Sequence, residues 1–227
     1  MQNIWESIYS EGKGLNRYPW DAFVSFLYRY AGSQGKSLSQ LRILEIGCGS
    51  GSNLWFAARE RAQVVGVDCS ATAIAYAETR FRDEGLQGEF HCSFLPALPQ
   101  LEPQSFDCII DRACLVACPP DTILKTTEAL AQLIKPEGQL LSTLYGTQHS
   151  SALSGDLNDN GMVENITEGS LVDVGPLTFF DRKRIDELFL THWKALELHN
   201  LIKTEVIGSN KLVHEDWHLV AIPSLRE

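Results

Sequence analysis

The segment Arg42 to Asn53, RILEIGCGSGSN, constrains the fold more than any other, because it sets a short apolar run directly against three closely spaced glycines. Ile43, Leu44 and Ile46 are apolar, as in a parallel strand covered on both faces, and Gly47, Gly49 and Gly51 form a turn whose backbone can approach a ligand. Leu54, Trp55, Phe56 and the alanines after them suit a helix that packs back on the sheet. The loop then presents its amides at a helix N-terminus, where polar or anionic ligand groups are favoured. A second apolar run, Ala62 to Val67, ends at Asp68. Its separation from Gly47 is the spacing of about twenty residues at which a strand-end acid meets the ribose hydroxyls of a bound nucleoside.

A chain of 227 residues with 44% hydrophobic content is long enough for one buried α/β domain with decorations, and short for two. No apolar run is long enough to span a bilayer, and MQNIWESIYSEGK has no basic segment followed by an apolar core, so a cytoplasmic protein without membrane association is expected. Cys48, Cys69, Cys92, Cys108, Cys114 and Cys118 all precede Pro119, several in apolar runs, which suits reduced thiols. Cys114 and Cys118 have no second pair and no nearby histidine, and no metal is expected. The net charge of −10 disfavours nucleic acid as a partner, since that binding needs clustered Lys and Arg. Arg182, Lys183 and Arg184 form the one such run, explained by a solvated helix face.

The glycine segment resembles motif I of the class I S-adenosylmethionine-dependent methyltransferases, in which an acidic strand end precedes GxGxG. Glu45, Gly47, Gly49 and Gly51 match it position for position, whereas the dinucleotide pattern GxGxxG would need its third glycine at Ser52. SFDCII followed by DRACL, and LIKPEGQLLSTLY, are similar to later segments of the same family. The resemblance implies an α/β fold with a seven-stranded Rossmann-like sheet, mostly parallel with an antiparallel last strand, helices on both faces and an N-terminal helical lid. It divides 1–227, read as a single domain, into a cap (1–40), a cofactor-binding half (41–145), a substrate-loop insertion (146–180) and a C-terminal helix with strands (181–227).

It also implies S-adenosylmethionine as cofactor and S-adenosylhomocysteine as product. Glu45, Gly47, Cys48, Gly49, Gly51 and Asn53 would bind it at the first loop, and Asp68 and Cys69 at the second. The family's adenine-binding acid is replaced by Ser93 and Phe94, a departure that leaves adenine contact to the backbone and Phe94. Asp111 and Arg112 fall at the carboxyl end of a strand from Phe106 to Ile110, where ligands sit in open α/β sheets. Asp111 is a candidate for the methionine ammonium or for a base, and Arg112 for the methionine carboxylate or the substrate, with an ion pair between them as the plain alternative. Asp107, at the strand's start, reads as structural.

Before the first strand, Phe23, Val24, Phe26, Leu27 and Tyr30 recur at helical spacing, with Pro19 in the first turn. Glu11 to Tyr18 suits a lid, from which Arg17 and Tyr18 would reach the cofactor's methionine end by the resemblance. Ser70 caps a helix through Phe81, and Gly88 to Phe94 is a third strand. Pro119, Pro120 and Asp121 start a helix carrying Ile123, Thr127, Leu130 and Ile134, ended by KPEG before a strand from Gln139 to Leu144. Residues 146–180 show little periodicity, and by the resemblance they build the acceptor pocket. Tyr145 and His149 follow the fifth strand, and His149 is the favoured general base. Asp156, Asn158, Asn160 and Gly161 imitate a calcium loop, but Thr167 stands where a bidentate Glu is required. Asp181 caps a helix leading to strands near Leu196 to Ile202 and Asp216 to Ile222, joined by a turn containing GSN; His214 and His218 line the pocket mouth or pair with carboxylates. The reading is methyl transfer to O or N of a small-molecule acceptor, with a macromolecule methyltransferase or a non-catalytic binder of S-adenosylmethionine as alternatives; oligomeric state is open.

Overall fold

Neighbouring residues of the first strand turn into different layers, and that alternation organises the molecule. The computed structural model describes residues 4–207 and 211–224. Its elements begin with α1 (Ile4–Ser10), α2 (Asp21–Ser33), β1 (Arg42–Ile46), α3 (Ser52–Arg59), β2 (Gln63–Asp68), α4 (Ala71–Asp83) and β3 (Glu89–Cys92). They continue with β4 (Phe106–Arg112), α5 (Pro120–Leu133), β5 (Ile134–Tyr145), α6 (Ser150–Leu153), the two-residue strands β6 (Asp156–Leu157) and β7 (Val163–Glu164), α7 (Arg182–Leu188), β8 (Trp193–Thr204) and β9 (Val213–Pro223).

The seven-stranded sheet has the order β3-β2-β1-β4-β5-β9-β8. β3, β2, β1, β4 and β5 pair in parallel, and β9 runs antiparallel to both β5 and β8, which makes it the inserted last strand. Ile43, Cys108, Ile110, Leu141 and Val220 pack under α2, α3 and α4, with Phe23, Phe26, Leu27, Leu54 and Ile74 in the same cluster. Leu44, Ile46, Ile109, Leu140 and Leu144 face the other layer, beneath Ile123 and Leu130 of α5 and Ile185 and Leu188 of α7. Helices therefore cover both faces, and the sheet's carboxyl edge lies between the two layers, as the crossovers of a doubly wound sheet require.

Several local readings need correction. α1 adds a helix to the N-terminal cap; none of its residues is buried, and it lies against α4. Pro19 lies before the helix, because Trp20 is the extended N-cap of α2. β3 stops at Cys92, so Ser93 and Phe94 follow the strand instead of ending it. Ile134 opens β5 rather than closing α5, and KPEG lies inside the strand at a register shift that pairs Phe106 with Ile134 but Cys108 with Gln139. Pro136 explains this, since a residue before proline is driven out of the helical region, and Lys135 must be extended. The edge strand β8 starts at Trp193, earlier than Leu196. The GSN turn, Gly208 to Asn210, lies outside the described residues.

Residues 146–180 are organised, contrary to a reading from weak periodicity. Gly146 bridges Phe180 in parallel, Val163 bridges Leu177, and Leu177, Phe179 and Phe180 are buried. Glu215 pins the root of this insertion. Its Oε2 accepts from the Gln148 N–H at 2.6 Å and its Oε1 from Asn200 Nδ2 at 2.7 Å. In the calcium-like stretch, Asn158 Oδ1 accepts from the Asn160 and Met162 N–H groups at 3.0 and 3.1 Å, so that side chain makes a hairpin turn. Among the described residues, no cluster of three or more His, Cys, Asp or Glu is placed to hold a metal, and no helix is long and apolar enough to cross a membrane. Cys48 and Cys108 are buried thiols.

Candidate active site

Gly47, Gly49 and Gly51 carry φ of +63°, +51° and +71°, the left-handed region that side chains resist. At Gly47 a methyl group would also overlap the side chain of Cys114. Gly47→Ala is therefore expected to lower stability by about 2–3 kcal/mol through backbone strain and overpacking together. Denaturant titration checks this, and a change under half a kcal/mol would contradict the close approach.

The loop is held by Asp68. Its Oδ2 accepts from the Gly49 N–H at 2.8 Å and its Oδ1 from the Ser70 N–H at 2.9 Å. Burial pushes the Asp68 carboxyl up, and the Ser70, Gly49 and Cys69 amides draw it back without cancelling the rise. Each oxygen keeps lone-pair capacity for a ligand hydroxyl. Ser70 caps α4 by accepting from the Ala73 N–H.

Glu45 is the second buried acid. Its Oε1 accepts from Asn53 Nδ2 at 2.7 Å, and its Oε2 is buried with no partner. Burial raises its pKa to about 8, against the Asn53 hydrogen bond and the Arg112 charge, which lower it. A buried carboxyl with one oxygen unpartnered is costly to ionise. Asn53 is a positioning residue rather than a cofactor ligand, because its Oδ1 also accepts from the Trp20 N–H at 2.9 Å. Cys48 is packed beneath the loop and its thiol is pushed well up by burial. Cys69 contributes its carbonyl to Cys92 Sγ at 3.7 Å.

Arg17 and Tyr18 are exposed, Tyr18 by 71%, and face solvent rather than pack on the loop. The lid instead touches it through backbone and through α1. Ser50 Oγ donates to the Asn16 carbonyl at 2.9 Å, and the Tyr9 hydroxyl rests against Gly49, where a methyl group would collide with it. Glu6 accepts from Ser70 Oγ at 2.6 Å and from the Thr72 hydroxyl, clamping α1 over α4. Neither Glu6 nor Tyr9 was found from sequence; the aromatic pattern of IWESIY was the available signal.

At the second strand end, the Ser93 N–H donates to the Asp68 carbonyl at 2.9 Å and its hydroxyl to the Ala97 carbonyl at 2.7 Å. That leaves acceptor lone pairs on the hydroxyl. Phe94 is 60% exposed and open to a flat ligand.

Asp111 is not a free acid. It is fully buried, with Oδ1 accepting from the Cys114 and Leu115 N–H groups at 2.9 and 3.0 Å and Oδ2 from Ser142 Oγ at 2.6 Å. Burial raises its pKa to about 6, against those three donors. It braces β4 to β5 and to the turn at Leu115–Ala117, and this internal role replaces those of ammonium ligand and base. The ion pair with Arg112 is not made either. Arg112 lies on the opposite sheet face, its guanidinium 5.6 Å from the Trp20 ring centre.

His149 is likewise removed as general base. It is 1% exposed, its Nδ1 accepts from the Ser151 N–H at 3.0 Å, and its Nε2 lies 2.9 Å from His214 Nδ1. Burial first, and His214 next, lower its pKa to about 4. With both nitrogens engaged inside the protein, it has none to offer a substrate. Tyr145 stays at the site, its ring 5.9 Å from His149 and 6.0 Å from His214. Burial raises its pKa, the Arg112 charge opposes that rise, and Asp216 adds to it.

Strand register gathers the remaining groups. Arg112 pairs with Thr143, Thr143 with His218, and Tyr145 with Asp216, so these side chains share the face and the end of the sheet that Glu45 occupies. Trp20 closes that row from α2, its ring 5.1 Å from His218 in an edge contact. A cleft of about 650 Å³ lined by Arg59, Gln63, Leu86 and Glu89 sits where β2 and β3 begin. That is the wrong end for a ligand in an open α/β sheet.

Residues 43–138 match a family model described as a methyltransferase domain. A ubiquinone biosynthesis O-methyltransferase of Xanthomonas euvesicatoria pv. vesicatoria (strain 85-10) is 32% identical over 118 residues, 52% of this chain and 48% of that protein. The chain spans about half the length of the curated relatives it matches. Among solved structures, a SAM-dependent methyltransferase from Methanosarcina mazei superposes with a TM-score of 0.67 at 22% identity, covering 83% of this chain and 94% of that one. The 1,6-didemethyltoxoflavin-N1-methyltransferase of Burkholderia thailandensis, solved with 1,6-didemethyltoxoflavin and S-adenosylhomocysteine bound, superposes with a TM-score of 0.66 at 16% identity, covering 96% and 84%. The acidic GxGxG loop, the Asp68 strand end and the inserted antiparallel strand thus accompany a match of residues 43–138 to a methyltransferase domain, within a fold shared with S-adenosylmethionine-dependent methyltransferases.

Proposed function

We propose that this chain transfers a methyl group from S-adenosylmethionine to O or N of a small-molecule acceptor by in-line displacement. The observation that carries the reading is the pair of buried acids flanking the glycine loop, one bound by loop amides and the other with an unpartnered oxygen. Asp68 would take the ribose hydroxyls, Glu45 Oε2 the methionine ammonium, Arg112 the methionine carboxylate, and Ser93 with Phe94 the adenine. The donor's sulfonium supplies the reactive methyl, and the protein's part is alignment in a site shielded from water. α1, Trp20 and the ordered insertion support a small acceptor, because they cover the sheet edge rather than leave a broad face. The O-methyltransferase relative and the N-methyltransferase fold neighbour favour the same class.

Glu45 gives a direct test. A folded-state pKa of about 8 means that the carboxyl is largely protonated at pH 7, and a ligand ammonium beside it favours the charged form. Binding of S-adenosylhomocysteine near pH 7 is therefore expected to release up to about one proton, read by calorimetry as an enthalpy that depends on the buffer. Above pH ~9 the release disappears, because the carboxyl is then already ionised, and Glu45→Gln removes it at every pH. No binding of S-adenosylhomocysteine at all would sink the proposal.

A further inference from the structure

We infer that Asp216 is the group that takes the acceptor's proton, and that His214 and His149 form a two-histidine chain that holds it in place. The inference rests on the methyl-transfer reading above. It starts from three buried side-chain oxygens without partners, Glu45 Oε2, Thr143 Oγ1 and Asp216 Oδ1. Strand register puts all three on one face at the same edge of the sheet, the carboxyl end of β1 and β5 and the amino end of the antiparallel β9. The first belongs to the donor end. The other two lie one and two strands beyond Arg112, where an acceptor would meet the methyl.

The other oxygen of Asp216 is fixed. His214 Nε2 lies 3.0 Å from Asp216 Oδ2, His214 Nδ1 lies 2.9 Å from His149 Nε2, and the Ser151 N–H points at His149 Nδ1 from 3.0 Å. The tautomers follow from that last amide, which can only donate. His149 Nδ1 is therefore bare and its proton sits on Nε2, so Nε2 donates to His214 Nδ1. His214 then carries its proton on Nε2 and donates to Asp216. Ser170 Oγ, 3.2 Å from His214 Nδ1 and 3.4 Å from His149 Nε2, flanks the pair, with Tyr145 and Phe179 packed around it. Each donor in the chain is used once and points toward Asp216. The carboxylate is left with one free oxygen, only 9% of the residue is exposed, and Tyr145 is its strand partner.

For a hydroxyl acceptor the balance is complete. The acceptor's O–H bond breaks toward Asp216 Oδ1 as its oxygen forms the new O–C bond, and the S–C bond of the donor breaks with its electron pair going to sulfur. The products are the methyl ether, S-adenosylhomocysteine and a protonated Asp216, which loses its proton to water after release. His214 and His149 touch no substrate and act as positioning residues; Asp216 is the catalytic one.

Asp216→Asn is the discriminating variant, because its amide oxygen still accepts from His214 while the base is lost. Methyl transfer is followed as S-adenosylhomocysteine formation over a panel of catechols, phenols and primary amines, with S-adenosylhomocysteine affinity by calorimetry and ¹⁵N spectra of the histidine rings. Expected are unchanged affinity, His149 Nδ1 unprotonated from pH 5 to 8 in both proteins, and a kcat on hydroxyl acceptors reduced about a hundredfold or more in Asp216→Asn. His214→Gln is expected to lower kcat less and to move its pH profile. If Asp216→Asn keeps kcat within threefold at unchanged affinity, or if His149 titrates near pH 6.5, the assignment is wrong while the methyltransferase reading stands. Turnover of no panel member by a protein that binds S-adenosylhomocysteine overturns both, and absent binding overturns the donor site itself.

Discussion

Replacing Asp68 by Ala is expected to weaken S-adenosylhomocysteine binding by about a hundredfold or more. Two charge-assisted bonds to the ribose, at about 1.5–3 kcal/mol each, disappear together, and every 1.4 kcal/mol is about tenfold. The loop is affected as well, because the Gly49 and Ser70 amides lose their acceptor at 2.8 and 2.9 Å. Asp68→Asn separates the two effects. Its amide must aim an N–H₂ group at one of those two donors, so the loop is disturbed even though one acceptor remains. Calorimetry on both variants, with circular dichroism to establish that they are folded, decides the matter. Wild-type affinity in the folded Ala variant would remove Asp68 from the ligand and leave it as a loop anchor only.

Asp107 is expected to respond in the opposite way. It sits at the amino end of β4, its side chain is 0% exposed, and it takes Lys135 Nζ at 2.7 Å, Lys36 Nζ at 2.9 Å and the Arg42 N–H at 2.9 Å. Burial works to raise its pKa, but Lys135, Lys36 and the Arg42 amide outweigh it, and the result is a lowered value. Asp107→Ala leaves two ammonium groups without their shared partner and is expected to cost about 3–5 kcal/mol. That corresponds to a fall in Tm of roughly 10 °C for a chain of this size. A depressed carboxyl contributes stability above the ordinary carboxylate range and loses it as pH falls through the folded pKa, so the Ala and wild-type stabilities converge in acid. Affinity for S-adenosylhomocysteine per folded molecule stays unchanged. A large loss of affinity at intact Tm would contradict the structural role.

These two aspartates show what residue order reveals. Each flanks a buried apolar strand, one at the carboxyl end and one at the amino end, and the rule that ligands gather at carboxyl ends separates their roles without coordinates. The same rule failed for Asp111. A strand-end acid looks alike in sequence whether it faces a ligand or, like Asp111, is filled by Ser142 and two amides from its own turn. Sheet face was the missing variable, since Arg112, one residue later, does turn toward the site.

RILEIGCGSGSN and Asp68 by themselves determine the core of the proposed donor half, because its contacts are local: a turn that needs positive φ and an acid one strand away. The long-range contacts around both halves of the proposed site were decided only in three dimensions. Tyr9 reaches Gly49 across 40 residues of chain, Trp20 contacts Asn53, and His149 meets His214 and, through it, Asp216 at a distance of 65 residues in sequence. Register between β5 and β9 places those groups, and it depends on which faces are buried, a property of the whole sheet that no single segment carries. His149 illustrates the reason most plainly. Its imidazole is an obvious base in sequence, but the Ser151 amide and the neighbouring His214 engage both nitrogens, and that leaves Asp216 with the free oxygen.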